Sequence, residues 1–409
     1  MICDMVSCRW CHSSNLKILW ELRDAPYGDL FRDNKQSAQM EPVHPFRVAT
    51  CESCNLLQLR DSTDISGQYD NYLYQTNVTV GLSEYYFKVA EKILTLRTGL
   101  STNTVLDIGS NDGSFLTFFM RHGSQVLGVE PSKVPAQEAR LRKIETINDY
   151  FSLHLSEAIR QEHHKGFDLI SVNYTLANVP DIRDFMKGLE LLLSDKGMFS
   201  IITGYHPDQF SIGMFDYIGH DHLTYFSLKN LIEMFSELDL EIFEANRSEH
   251  KGGSIHIVGG RKGTYPKKSM HGYVLQREEW NWPSNEKGIE VLKERTEKAK
   301  ELTLKALKPT SKSWLGIGAS ISTSYLINEF ELGQRIAFQV DDDLIKQGRY
   351  SPLHGIEVIP FEDAKVKKGQ NALLLAWQHT NVLMTRLRNS GFKGEVLIPL
   401  PEPRLLFIN

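Results

Sequence analysis

No apolar run in this chain approaches the ~18–20 residues that cross a bilayer, so a helical membrane span is not expected. No block of Lys and Arg appears either. The 46 basic residues are outnumbered by 51 acidic ones, giving a formal charge of −5. That balance argues against a protein whose main work is gripping a phosphate backbone, and no nucleic acid partner is expected. Five cysteines in 409 residues are too few for a disulfide framework. Met1-Ile2-Cys3-Asp4 lacks the basic and apolar regions of a signal peptide, so a reducing cytoplasm is expected. There is no short-period repeat. What remains is an ordinary globular composition, 41% hydrophobic and 24% charged, long enough for two or three domains.

All five cysteines lie in residues 1–80, a stretch that reads as a loop-rich module. Cys8-x-x-Cys11 and Cys51-x-x-Cys54 are two knuckles of the kind that hold Zn²⁺ tetrahedrally as thiolates. Four thiolates leave no open position, so the metal would be structural and would supply folding free energy to a segment with little apolar pattern. Cys3 falls outside the pairs as a spare thiol, and His12, beside Cys11, reads as a bystander.

The most informative stretch is Val105-Leu106-Asp107-Ile108-Gly109-Ser110-Asn111-Asp112-Gly113-Ser114-Phe115. An apolar strand ends in an acid, passes a glycine turn and re-enters a helix whose free N–H groups face a ligand. A dinucleotide fingerprint would read G-x-G-x-x-G, whereas this chain has Gly109-x-x-x-Gly113. The next strand, Gln125 to Val129, delivers Glu130 where a ribose diol would be held. Together these resemble motif I and the motif II acid of class I S-adenosylmethionine (SAM) methyltransferases. The resemblance implies that Asp107, Gly109, Asn111 and Gly113 shape the turn around the methionine portion. It also places Glu130 and Pro131 at the ribose, Asp149 and Tyr150 beside the adenine, and Asn173 facing the ligand.

Strand and helix patterns alternate from Tyr85 onward, implying parallel βαβ units covered on both faces. The expected class is α/β: a zinc-binding module at 1–80, a SAM-binding domain at 81–262 and a C-terminal Rossmann-like domain at 263–409. Lys262 to Pro283, with its Gly, Pro and basic residues, reads as a connection, and Asn285 to Leu307 as a charged helix. Ser313 to Ser320 then repeats the strand-to-glycine-turn pattern, and Ile336 to Asp341 is a second strand ending in an acid.

This three-part order resembles the deoxysugar C-methyltransferases, which methylate C3 of nucleotide-linked (dTDP or GDP) 4-keto-6-deoxy sugars. Local matches include Tyr72-Leu73-Tyr74, Leu176 to Asp181, His220 to Ser227, Gly252-Gly253-Ser254, Gly316 to Ala319 and Lys346 to Pro352. The resemblance implies a base near C3 and donors near the C4 oxygen, with His222 as the base and Asp221 orienting it. His220, Tyr74 and Asn178 complete the expected catalytic set. Gly252, Ser254, Gly316, Gly318, Lys346, Arg349 and Tyr350 are expected at the nucleotide sugar. Two departures stand out. Family members usually carry Tyr-His-Glu-His where this chain has Gly219-His220-Asp221-His222, and histidine where it has Asn178, which donates a hydrogen bond but cannot shuttle a proton. The family's Ala-Lys-Gly after the second glycine turn is Ile321-Ser322-Thr323 here. The expected cofactors are SAM and a structural Zn²⁺, in a monomer or weak dimer with no membrane partner. Transfer to oxygen or nitrogen of a related sugar is the alternative enzyme reading, and a zinc-containing RNA-binding or RNA-modifying protein the alternative of another class.

Overall fold

The computed structural model describes residues 3–4, 7–62, 81–97, 103–266, 270–307, 314–364 and 371–409. The N-terminal module is more regular than expected. Strands β1 (Leu16–Ala25), β2 (His44–Cys51) and β3 (Leu57–Leu59) form an antiparallel sheet. Trp20, Leu22, Phe46, Val48, Leu57 and Leu59 all lie on its buried side. Their period-2 placement is broken by register shifts in β1, which hid the strand in the sequence.

The central domain follows helix α1 (Leu82–Leu96). Strands β4 (Thr104–Ile108), β5 (Gln125–Val129), β6 (Glu145–Ile147), β7 (Phe167–Asn173) and β8 (Leu193–Gly204) run parallel in the order β6-β5-β4-β7-β8. The chain then contributes β9 (Thr224–Tyr225), which leaves this sheet and pairs antiparallel with β3 of the N-terminal module. Strands β10 (Leu240–Ser248) and β11 (Ser254–Arg261) return to the central sheet, β11 antiparallel beside β8. Val105, Leu106, Leu169, Ile170, Phe199 and Ile201 are all buried, as parallel strands covered on both faces require.

Residues 270–281, read as a connection, are instead a helix, Met270–Asn281, packed against β10. Its apolar residues are scattered: Val274 is buried while Tyr273 and Trp280 are exposed, so no helical stripe signals it. Helix Asn285–Ala306 buries Ile289, Leu292 and Ala299 in a core that also takes Trp20 and Phe46 of the N-terminal sheet.

The third domain holds β12 (Trp314–Ile317), β13 (Ile336–Val340), β14 (Val358–Ile359), β15 (Asn371–Leu374), β16 (Gly394–Ile398) and β17 (Arg404–Ile408). Their order is β14-β13-β12-β15-β16-β17, parallel except for β17. The N-terminal module is bolted to this domain by main chain: Arg32 N donates to Tyr350 O (3.0 Å) and Tyr350 N to Arg32 O (2.8 Å). Among the described residues, no helix is long and apolar enough to cross a membrane.

Candidate active site

The carboxyl ends of β4, β5, β7 and β8 converge on one edge of the central sheet, where open α/β sheets bind ligands. Gly109 and Gly113 hold φ of 74° and 73° in the turn after β4. A side chain at Gly109 would run into the Thr175 hydroxyl, so the turn tolerates none. Asp107 is fully buried and accepts from Ser171 Oγ (2.6 Å) and Asn173 Nδ2 (3.3 Å); burial pushes its carboxyl up to about 7. Glu130 accepts from the main-chain amides of Asn111 (2.9 Å) and Ser132 (2.8 Å), which lashes the glycine turn to the end of β5. Burial raises its pKa too. Asn173 Oδ1 is buried without a protein donor, an acceptor left over at the ligand edge. Asn148 Nδ2 caps the Glu130 and Pro131 carbonyls (2.8 Å each), leaving Asp149 and the exposed Tyr150 ring at the rim. Positive-φ glycines, two buried carboxylates and an unpartnered amide oxygen fit the SAM-binding assignment. Sequence reasoning missed one brace. Arg142 pairs with the fully buried Asp112 (3.2 Å) and donates to the Asp112 carbonyl and Ser114 Oγ, locking the far side of the turn.

A second group of side chains faces the same edge. Leu223 N donates to Ala177 O (2.8 Å), tying the His220–His222 segment to the 3-10 turn Leu176–Asn178 that follows β7. His222 is partly exposed. Its Nδ1 lies 3.0 Å from the Tyr217 carbonyl, and its ring stacks on that of Tyr217 with centroids 4.1 Å apart. A carbonyl only accepts, so Nδ1 carries the proton and Nε2 the lone pair. Asp221 Oδ2 stands 3.7 Å from Nε2, beyond hydrogen-bond distance. His220 is placed differently. It is buried among Tyr27, His44, Phe46 and Tyr325, its Nε2 lies 3.2 Å from Ala25 O, and burial pushes it down to about 4. Where the family carries tyrosine, a Cβ on Gly219 would lie 2.9 Å from Tyr325 Cε2 and 2.5 Å from Asp221 Oδ1. The Tyr325 ring of the third domain takes that space, and its hydroxyl accepts from His220 N (3.0 Å). Gly252 and Ser254 adjoin this group: Gly252 abuts Met214, and Ser254 Oγ meets Tyr174 OH at 3.0 Å. Tyr74 lies outside the described residues.

The four cysteines Cys8, Cys11, Cys51 and Cys54 converge, all Sγ atoms lying within 4.8 Å of one another. Cys8–Cys54 and Cys11–Cys51 are 3.6 and 3.5 Å apart, near the ~3.8 Å edge of a tetrahedron with Zn–S bonds of ~2.3 Å. The hydrogen bond from Cys54 pulls the Cys8 thiol down to about 5, thiolate at neutral pH as a zinc ligand must be. Burial pushes Cys11 up to about 11, which a bound cation would reverse.

In the third domain the glycine turn after β12 packs closely on its own domain. Gly316 packs against Leu375 within the strand, and Gly318 (φ 116°) lies against Ala376. Ala319 N donates to Asp341 Oδ2 (2.7 Å), tying the turn to the acid that follows β13. The three residues expected to clamp a nucleotide have protein partners. Lys346 pairs with Asp29 (2.8 Å) and donates to Ala319 O, Arg349 pairs with Asp33 (3.2 Å), and Tyr350 carries the main-chain bridge to Arg32. No local pattern in the sequence announces Asp29, Asp33 and Arg32, because they lie in the N-terminal module.

Three family models match in succession along the chain. They are a zinc binding domain at residues 8–69, a methyltransferase domain at 82–245 and a C-methyltransferase C-terminal domain at 249–401. The C-methyltransferase NovU of Streptomyces niveus is 26% identical over 414 aligned positions, covering 98% of this chain and 96% of that protein. A ubiquinone biosynthesis O-methyltransferase of Shewanella sp. (strain ANA-3) is 31% identical over 84 residues, 20% of this chain and 36% of its own. Among solved structures, the plantazolicin methyltransferase BpumL in complex with SAH aligns at 15% identity over 48% of this chain and 89% of its own, with a TM-score of 0.36.

Proposed function

We propose that this chain, a SAM-dependent C-methyltransferase with a zinc-binding module, methylates C3 of a nucleotide-linked 4-keto-6-deoxy sugar through an enolate. One observation carries the reading. His222 donates from Nδ1 to the Tyr217 carbonyl, so its Nε2 lone pair is free in a partly open site beside a carboxylate. That is what a base needs to take a proton made acidic by an adjacent ketone. His222 Nε2 accepts the C3 proton, the C–H pair becomes the C3–C4 π bond, and the carbonyl pair moves onto oxygen. Asp221 stabilises the imidazolium. Bound SAM supplies the methyl group that the C3 carbanion displaces from sulfur. Asp107, Gly109, Asn111, Gly113 and Asn173 would hold its methionine portion, Glu130 and Pro131 its ribose, and Asp149 and Tyr150 its adenine.

The test separates proton removal from methyl transfer. The protein is incubated with S-adenosylhomocysteine and candidate 4-keto sugars on several nucleotides in heavy water, then with SAM. Deuterium at C3 without methyl donor, and a C-methyl singlet on a quaternary carbon with it, are expected. A methyl resonance on oxygen or nitrogen, or no exchange with any of the sugars, would overturn the reading.

A further inference from the structure

The proposed enolate puts negative charge on the C4 oxygen, and a base alone leaves that charge unanswered. Donors placed where charge develops often contribute more than the base itself. Four hydroxyl or amide groups stand near His222. Tyr325 is buried and its hydroxyl is held by His220 N. Tyr225 is likewise buried. Asn178 lies at the end of the 3-10 turn beyond β7. Tyr217 differs from the other two tyrosines in being partly exposed, as His222 and Asp221 are, although burial raises its phenol pKa and the Gln209 side chain meets its hydroxyl.

We infer that Tyr217 is a catalytic residue, its phenol donating the hydrogen bond that stabilises the enolate oxygen while the stacked His222 takes the proton. The geometry has three independent parts. The two rings are nearly parallel, 19° apart with centroids at 4.1 Å, so phenol and imidazole travel together along one wall of the site. The Tyr217 hydroxyl reaches the carboxyl end of β8, where it fills the space a side chain on Gly204 would need. That end of β8 belongs to the same sheet edge as the SAM-binding turn. Finally, the 3-10 turn that carries Tyr217 is held rigidly from the third domain. Asp216 Oδ2, fully buried, accepts from Trp377 Nε1 (2.9 Å) and Gln378 Nε2 (3.3 Å). Gly219 leaves the neighbouring position without a side chain of its own. The inference rests on the proposed enolate reading, and its test keeps the two apart.

Tyr217→Phe keeps the stacked ring and removes only the donor. In the full-length zinc-loaded protein, C3 deuterium exchange and methyl transfer should both fall about 10²-fold or more, with affinity for S-adenosylhomocysteine within a few-fold of wild type. A site-specific fluorotyrosine at 217, which keeps the shape and the hydroxyl donor, should leave exchange and methyl transfer within about ten-fold of wild type. This arm is decisive should Tyr217→Phe fold poorly. Turnover within about two-fold of wild type for Tyr217→Phe, or a fluorotyrosine protein as slow as Tyr217→Phe, would overturn the inference. So would a loss confined to Asn178→Ala, which would make that amide the donor. In each of those cases His222→Ala still abolishes exchange if the enolate reading is right; only retained exchange in His222→Ala brings down the reading itself.

Discussion

At the scale of single residues, the site depends on which atom holds which proton. His222→Ala should lower turnover by about 10²–10⁴-fold while S-adenosylhomocysteine binding, followed by calorimetry, stays within a few-fold. Gly109→Ala should do the opposite. Its methyl group collides with the Thr175 hydroxyl at a φ of 74°, so cofactor affinity should fall at least ten-fold and a loss of activity should follow from it. Asp216 gives a pH signature. Burial pushes its carboxyl up to about 7, above the usual carboxylate range, so the folded state binds the proton more tightly than the unfolded state. Stability held by that proton is complete at low pH and is lost as pH rises from about 4 toward 7. Asp216→Asn, which keeps an oxygen for Trp377, should flatten that decline: the melting temperature is unchanged near pH 4 and higher by a few degrees at pH 8.

At the scale of elements, the apolar strands β4 and β5 were legible, because each is set by neighbours a few residues away. Asp107, Gly109 and Glu130 were legible for the same reason: the strand-turn-helix unit that places them is local. Helix Met270–Asn281 was not, since its burial comes from β10 rather than from its own periodicity. Nor was β9, two residues long and meaningful only against β3. That pairing makes a prediction about metal. Leu59 N donates to Leu223 O (2.9 Å) and Leu57 pairs with Tyr225, so the zinc-stapled sheet and the His222 segment are one hydrogen-bonded unit. Bound zinc typically contributes on the order of 10 kcal/mol to folding such modules. Stripping it with a chelator, or Cys51→Ser, should therefore abolish methyl transfer, while the separate turn after β4 still binds S-adenosylhomocysteine. Metal analysis of the untreated protein should give one zinc per chain.

At the scale of the whole molecule, the N-terminal module touches both α/β domains. Its sheet takes β9 from the central domain, while its 26–33 loop takes Lys346 and the Tyr350 main chain from the third. Sequence reading placed Lys346 at the nucleotide sugar from the Lys346 to Pro352 match, and the Asp29 that pairs with it is distant in the chain. Lys346→Met leaves the partly exposed Asp29 carboxylate without its ammonium partner, so it should lower stability by about 1 kcal/mol in a denaturant titration. A KM effect on the nucleotide sugar without that loss would instead mark Lys346 as a ligand contact. The β3–β9 pairing has a consequence during biosynthesis. The N-terminal sheet, made before the central domain, keeps a bare edge until Thr224 and Tyr225 have been made, and exposed strand edges invite mispairing. A nascent chain halted before that point would be vulnerable to intermolecular pairing, with the central domain serving as the latch that ends the exposure.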